Sequence, residues 1–553
     1  MQTNLVLKNG VIETMANDKT AQAIAIKEDK IVYVGNNEGV KEYEDGAQII
    51  DLQGKFVSPG FIDGHTHDVM YLIDEDTTFF FQTLPAIYDE YYKGFKAFVE
   101  EHPDNEMYYG NSFDMNAFPN GFVNNKWINE ICPDRPVMIT DMSNHCFLLN
   151  AKAMEIAGVT DDMPVPNGAN FFRYPDGKLT GYFADSFFIT EKLPAKVKNP
   201  EKYHKAFLKY QDICSSYGIT GIDIAGPIIL AQDVWQVLAD MEKNGELKLR
   251  VNCTYLDWNN PPLSNESAES YIEMLTEGQK YNSDYQKVSQ VKIILDGVPE
   301  AKSARLIEPY AKEANEASDY IGPMYHDPEV LKNFVTKINE AGYQVQIHAM
   351  GDGAVKVALD AYEHSQEING DKDYRNMIAH VTLITDEDIK RMGKLKVIGT
   401  MQPLWWYYDP NFSCLEEQNF GTERFKKEYN IRTMMDAGIK ITGSIDYPIQ
   451  PDFRPLAGIQ VGTTQSSPYK DQCDDPKYLR NADQVVTAKE MLECYTTNGA
   501  FEMRMEDSIG TLEVGKKADL VVLEQDILTC DPKTIADTKV VYTIMNGKIV
   551  YQG

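Results

Sequence analysis

At 553 residues the chain is too long for one simple core, so two or more structural units are expected. Hydrophobic content of 43% and aromatic content of 11% are those of a soluble globular protein with a large core. Lys and Arg number 53 against 84 Asp and Glu, a formal charge of -31, which disfavours nucleic acid and anionic membrane surfaces as partners.

The eight cysteines (Cys132, Cys146, Cys214, Cys253, Cys414, Cys473, Cys494, Cys530) stand singly and form no Cys-x-x-Cys pair. They read as the reduced thiols of a cytosolic protein. The start, Met1-Gln-Thr-Asn-Leu-Val-Leu-Lys-Asn-Gly10, has no basic region followed by an apolar one. No uncharged run approaches the roughly 18 residues a membrane helix needs. A cytoplasmic protein with a small-molecule substrate and no membrane or nucleic-acid partner is expected; assembly into a homo-oligomer stays open.

In chain order, residues 1–58 are short β segments: Asn4-Leu-Val-Leu, Ala23-Ile-Ala-Ile, Lys30-Ile-Val-Tyr-Val and Gln48-Ile-Ile-Asp-Leu. The C-terminal end has the same texture, in Ala518-Asp-Leu-Val-Val-Leu, Val540-Val-Tyr-Thr-Ile-Met and Asn546-Gly-Lys-Ile-Val-Tyr551, where Asn546-Gly547 signals a tight hairpin. Neither end is enough for a core, so 1–58 and 505–553 are expected to form one small β-sandwich subdomain. The rest, 59–504, then lies between them as the second unit.

That middle part alternates strands and helices. Strands are read at 61–67, 219–225, 249–256, 291–295, 345–350, 377–381, 397–402 and 440–446, with amphipathic stretches such as 328–341 and 386–395 between them. Eight strands in β/α alternation predict a (β/α)8 TIM barrel. An aromatic-rich insertion at about 70–200, after strand one, is placed to cover the active site. Phe79-Phe-Phe81 within it is balanced between pocket wall and ordinary core. A second excursion, Leu404-Trp-Trp-Tyr-Tyr-Asp409, leaves the top of strand seven, so Trp405 and Trp406 are expected to line the substrate cavity. A third, 462–484, is polar and expected as a mobile loop.

Pro59-Gly-Phe-Ile-Asp-Gly-His-Thr-His67 ends strand one with His65 and His67. Residues i and i+2 of a strand face the same way, so both imidazoles can reach one metal ion. His348 stands at the tip of strand five, His380 at that of strand six, and Asp446 at the last position of strand eight. Four imidazoles and a carboxylate at strand ends suit zinc or a similar divalent ion. Lys292, inside apolar strand four, is costly unless paired or chemically changed. Two readings stand: an ion pair with Asp296, or carboxylation by CO2 into an anionic ligand that bridges two metal ions.

With Pro133-Asp-Arg-Pro-Val137, Thr180-Gly181, Val291-Lys-Ile-Ile-Leu-Asp-Gly297, His348-Ala-Met-Gly-Asp352, Met401-Gln-Pro403, Gly443-Ser-Ile-Asp-Tyr-Pro448 and Ile509-Gly-Thr-Leu-Glu-Val-Gly-Lys-Lys-Ala-Asp-Leu520, these motifs run along nearly the whole chain. In them the chain resembles the amidohydrolase superfamily, and within it the amidohydrolase 3 (YtcJ-like) branch. The resemblance implies two zinc ions per chain. His65 and His67 hold one, His348 and His380 the other, Lys292 bridges them when carboxylated, and Asp446 is both ligand and proton carrier. His145, in Asp141-Met-Ser-Asn-His145, matches a histidine that faces the substrate. The chain departs from the family pattern at Val298, where Ser is usual, and at Asp185, where Glu is usual. The function implied is hydrolysis of a C–N, amide-type bond of a small, partly apolar or aromatic substrate by metal-activated hydroxide. A deaminase, an ester or lactone hydrolase, and an inactive binding scaffold are the alternatives. Asp352 is the remaining candidate on the substrate side, and the competitor of Asp446 for proton transfer.

Overall fold

The computed structural model describes residues 4–16, 20–165, 169–190, 192–194, 199–257, 262–410 and 412–553. Met1–Thr3, at the head of the N-terminal reading, lie outside the described residues. Eight parallel strands follow one another around a barrel: β1 Phe61–Thr66, β2 Ile219–Ile224, β3 Arg250–Tyr255, β4 Gln286–Ile294, β5 Gln344–Ala349, β6 Met377–His380, β7 Ile398–Met401 and β8 Ile441–Gly443. Both faces of these strands are covered, which is why the sequence reads there as near-continuous apolar runs. The helices between them carry their own start signals. Asp327 caps Pro328–Glu340, with Pro328 in the first turn, and Thr385 caps Asp386–Lys394.

Between β8 and β1 the ring is closed by the chain that follows β8. Ile445 N–H donates to Asp63 Oδ1 (2.9 Å), Asp446 N–H to the His65 carbonyl (2.9 Å) and His67 N–H to the Tyr447 carbonyl (2.8 Å). Two details differ from the sequence reading. β4 starts at Gln286 rather than 291, because its first half, Gln286-Lys-Val-Ser-Gln290, is too polar to be recognised by hydrophobicity. β8 stops at Gly443, so Asp446 is not the last residue of that strand. It stands on the following turn with φ of 61°, a left-handed conformation that ends pleating.

The two ends of the chain meet as expected. Phe56–Pro59 pairs antiparallel with Leu520–Leu523, which pairs with Val540–Met545 and then Lys548–Gln552. Asn546 and Gly547 both have positive φ (52° and 75°), as a tight hairpin turn between twisted strands requires. This sheet and a four-stranded one of Lys30–Gly35, Ala23–Lys27, Leu5–Lys8 and Gln48–Asp51 share a core that includes Leu5, Ile24, Val57, Leu520 and Ile544.

The insertion is more than a cover. It holds a six-stranded sheet, Asn170–Arg173, Leu179–Ala184, Cys146–Leu149, Val137–Asp141, Tyr108–Phe113 and Thr78–Phe80, with its own apolar cores. Phe81 is buried in one of them, with ring centroids 5.0 Å from Tyr91, 5.7 Å from Phe95 and 6.0 Å from Trp127. Segment 462–484 is not a loose loop: Cys473 is buried, and Arg480 is buried in ion pairs with Glu416 and Glu428 that anchor it. All eight cysteines are free thiols. No helix of the described residues is long and apolar enough to cross a membrane.

Barrel and sandwich are joined by a buried ion pair. Arg250, first residue of β3, donates from Nε to Asp519 Oδ2 (2.5 Å) and from Nη2 to Asp519 Oδ1 (3.0 Å), while Nη1 donates to the Asp284 carbonyl (2.6 Å). A bidentate guanidinium–carboxylate pair fixes geometry as well as charge. Removing one partner leaves the other charged and buried. Arg250→Ala should therefore lower unfolding free energy by about 3–5 kcal/mol, read from urea denaturation; a loss below about 1 kcal/mol would show that the junction does not depend on this pair.

Candidate metal centre and substrate cavity

At the mouth of the barrel, ligand atoms of His65, His380 and Asp446 all lie within 4.8 Å of one another. Asp446 Oδ1 is 3.6 Å from His65 Nε2 and 3.5 Å from His67 Nε2, and Oδ2 is 4.0 Å from His380 Nδ1. The His348 ring lies 4.6 Å from that of His380, centroid to centroid, and Lys292 Nζ is 2.8 Å from His65 Nε2. His380 and Asp446 both have positive φ (79° and 61°), the kind of backbone strain that clusters at functional sites.

The electrostatics favour neutral imidazoles. Burial, then the charge of Lys292 and the neighbouring rings, holds His65 well below the ordinary histidine value; burial also dominates for His67, His348 and His380. Neutral imidazole is the form that ligates a metal. Lys292 is pulled down to about 8 by burial, against the opposing pull of Asp446 and Asp223. Asp446 is pushed up to about 6, because burial outweighs the attraction of Lys292 and His145.

One ligand orientation is fixed by a chain of hydrogen bonds. Ser444 Oγ donates to the Met401 carbonyl (2.9 Å), so it accepts from Gln402 Nε2 (2.9 Å). Gln402 must then present Oε1 to His380 Nδ1, 2.9 Å away. The proton is placed on Nδ1, and Nε2 keeps its lone pair for a ligand.

His145 comes from the insertion. Strands Cys146–Leu149 and Leu179–Ala184 pair antiparallel with Cys146 opposite Ala184, which brings His145 against Asp185. His145 Nδ1 lies 2.6 Å from Asp185 Oδ1, and its ring centroid is 5.3 Å from that of His348. Asp141 shapes the preceding turn by accepting from Ser143 N–H (3.1 Å) and Oγ (2.7 Å). Burial disfavours a charged His145, yet the carboxylates of Asp185, Asp141 and Asp296 outweigh it and raise its pKa above the ordinary value. Barrel top, insertion and segment 462–484 together enclose a cavity of about 1420 Å³, whose lining includes His67, Lys292, His348, His380, Asp446, His145 and Trp405.

The profile of the Amidohydrolase family matches residues 48–551. The chain belongs to the amidohydrolase family. Along 98% of both chains it is 26% identical to a protein of Bacillus subtilis (strain 168) that carries the name amidohydrolase YtcJ. It is 21% identical to the N-substituted formamide deformylase of Arthrobacter pascens, over 99% of this chain and 98% of that one. An uncharacterized metal-dependent hydrolase from Pyrococcus horikoshii OT3 superposes with a TM-score of 0.70 at 22% identity, covering 96% of this chain and 99% of that one, which establishes the shared fold.

Membership of this hydrolase family implies a divalent metal, and the residues present fit one. Both ring nitrogens of His348, Nδ1 of His65 and Oδ1 of Asp446 are buried with no hydrogen-bond partner among the described residues. Such groups are costly unless a ligand satisfies them.

The remaining candidates divide. Trp405 lines the cavity and stacks on His380 at 5.5 Å. Trp406 does not line it; the expectation is corrected, because the short helix Pro403–Trp405 turns the next side chain into the barrel core, where Trp406 is fully buried. Asp352 is also outside the lining: it opens the helix Asp352–Asn369 and its carboxylate accepts from the Ile307 N–H (2.9 Å). Asp296 is no partner of Lys292, since its carboxylate accepts from three backbone N–H groups, of Arg305, Met350 and Gly351 (2.8, 3.0 and 2.9 Å). Sequence reading did not find the Gln402–Ser444 relay, although Met401-Gln-Pro403 and Gly443-Ser444 were noted as motifs.

The relay can be broken without touching a ligand. Gln402→Leu removes the acceptor that selects the His380 tautomer, and metal affinity should fall roughly 10- to 100-fold. Metal titration of refolded or dialysed protein checks this; unchanged affinity would show that His380 needs no such partner.

Proposed function

We propose that this family member hydrolyses the C–N bond of a small amide-type substrate with an apolar or aromatic part. The metal would be held by His65, His67, His348, His380 and Asp446, with Lys292, carboxylated by CO2, completing a site for two zinc ions. The observation that carries this reading is the convergence of four imidazoles and Asp446 at the barrel mouth, with the His145 ring 5.3 Å from that of His348. The likeness to a formamide deformylase favours an amide over other bonds. Eight free thiols support a cytoplasmic setting.

When bound, such an ion lowers the pKa of water to about 7 and polarises a carbonyl. The protein's own groups do the rest. Asp446, at the barrel mouth beside the imidazoles, accepts a proton from water and delivers it to the leaving nitrogen. His145, oriented by Asp185 through Nδ1 and with a raised pKa, donates from Nε2 to the carbonyl oxygen as negative charge develops there. Lys292, with a pKa of about 8, has roughly a tenth of its amine free at neutral pH, far more than an ordinary lysine, and that is the form that adds to CO2. Trp405 and Leu404 supply an apolar wall for the acyl or N-linked group.

The test is a panel of N-acyl and N-aryl amides, with esters, lactones and amino-heterocycles as controls, run on protein of measured metal content. Amide turnover is expected. Asp446→Asn should lose at least roughly 100-fold in kcat with metal largely retained. Turnover confined to esters or to deamination would overturn the amide reading, and Asp446→Asn at near wild-type rate would remove its proton role.

A further inference from the structure

One wall of the cavity carries more acidic than basic side chains, and the reaction uses none of them. Glu300 lies on the loop after β4, two residues beyond Val298, where the chain departs from the family pattern. Its backbone is held by Asn419 Nδ2, which donates to the carbonyls of Pro299 (2.9 Å) and Glu300 (3.5 Å). Glu416 lines the same wall, next to Glu300. The cation of that wall is Arg480, and it is already committed. Arg480 pairs with Glu416 (2.9 Å) and more closely with Glu428, donates to Ser413 Oγ (2.6 Å), and lies over the rings of Phe425 (4.7 Å) and Tyr429 (5.1 Å). Glu416 and Glu428 thus share one guanidinium, and Glu300 stands beside Glu416 without a share in it.

Glu428 is 1% exposed and outside the cavity lining, and holds Arg480 from that side. One further observation points to a ligand. Glu300 lines the cavity and no Lys or Arg pairs with it among the described residues; the positive charge it faces is that of His145. The neighbouring lining adds Trp405, Tyr407, Phe412 and Tyr429, whose ring faces attract a cation and repel an anion.

We infer that the substrate carries a positively charged group, an ammonium or guanidinium, at the end away from the scissile bond, and that Glu300 is the residue that selects it. This rests on the amide-hydrolase reading for the meaning of "substrate". Burial and the charge of Glu416 outweigh the pull of His145 and push the Glu300 carboxyl up to about 8, so the group tends to hold a proton while no ligand faces it. A substrate ammonium takes the place of that proton as the counter-charge. The saturated Arg480 leaves no room for the opposite choice, a substrate carboxylate on this wall. The overall charge of -31 draws cations toward the protein in the same sense.

Two sulfonamides of equal length make the test: N-tosylcadaverine, which ends in an ammonium, and N-hexyltosylamide, its neutral match. Neither contains a carboxamide to be consumed, so binding is read by calorimetry on the metal-loaded protein without turnover. The wild type should bind the ammonium-ended probe roughly 10- to 100-fold more tightly, and Glu300→Gln should reduce that ratio to below about threefold. Equal or better binding of the neutral probe by the wild type overturns the inference, as does no binding of either probe or an unchanged ratio in a folded Glu300→Gln. The wild-type comparison stands even where the variant does not fold. A preserved ammonium preference beside an inactive amide panel would sink the hydrolase reading and leave this one; amide turnover without the preference would do the reverse.

Discussion

Everything at the barrel mouth depends on one buried carboxylate, Asp63. Its Oδ1 accepts from the N–H of Ile445 (2.9 Å) and of His65 (3.2 Å), and so ties β1 to the turn after β8. That turn carries Asp446, and β1 carries His65 and His67. The distance between the carboxylate and the two imidazoles is therefore set by a hydrogen bond between Asp63, two residues before His65, and Ile445, next to Asp446. Burial raises the Asp63 pKa well above the ordinary value, against the pull of those two donors. The close approach also explains Gly64, where a Cβ would come within 2.5 Å of Thr442 Cγ2. A side chain there would push β8 and β1 apart.

Below the metal donors the barrel is polar rather than filled with the branched apolar layers usual for the fold. Asp223 accepts from Asn252 Nδ2 (2.9 Å), Thr254 Oγ1 (2.8 Å) and Gln290 Nε2 (2.6 Å). Thr400 Oγ1 donates to Glu502 Oε2 (2.9 Å), and Gln344 Nε2 donates to the Glu502 carbonyl (3.0 Å). This layer matters for Lys292. An amine in an apolar barrel would be driven neutral altogether, and one beside an exposed carboxylate would stay fully charged. With Asp223 beneath and Asp446 above, its pKa rests near 8, between those limits.

The parts legible in the sequence were those whose signal is local. Strand ends with His65, His67, His348 and His380 stood out because period-two alternation and short apolar runs survive in any context. The joining of the two chain ends was legible for the same reason, with Asn546-Gly547 as a turn signal. What escaped depended on three-dimensional neighbours. Trp406 differs from Trp405 only in which way a short helical turn points it. Asp296 looked like a partner for Lys292 by spacing, but three backbone N–H groups reach it from elsewhere in the chain. The Gln402–Ser444 relay joins residues on two adjacent strands, and no single-strand pattern records such a pair. The insertion was read as a cover because its strands, such as Tyr108–Phe113 and Leu179–Ala184, are broken up by Gly and polar residues, which weakens the alternation.

The insertion's packing changes what kind of enclosure the cavity has. Its aromatic core does not end at its own sheet: Val298, Ala301, Ala304 and Leu306 after β4, Met350 after β5 and Leu383 after β6 belong to the same cluster as Phe81, Phe95 and Trp127. The loops that carry the barrel's contribution to the cavity are thus held by side chains of the insertion. His145 is fixed to Asp185 by strand pairing within that sheet, and the candidate metal donors are fixed by the barrel. One apolar core, shared by the insertion and the barrel loops, thus sets the distance between His145 and the groups that would hold the metal. Catalytic geometry in this protein is then a property of that shared core, and residues far from any ligand, such as Phe81, bear on it through packing alone.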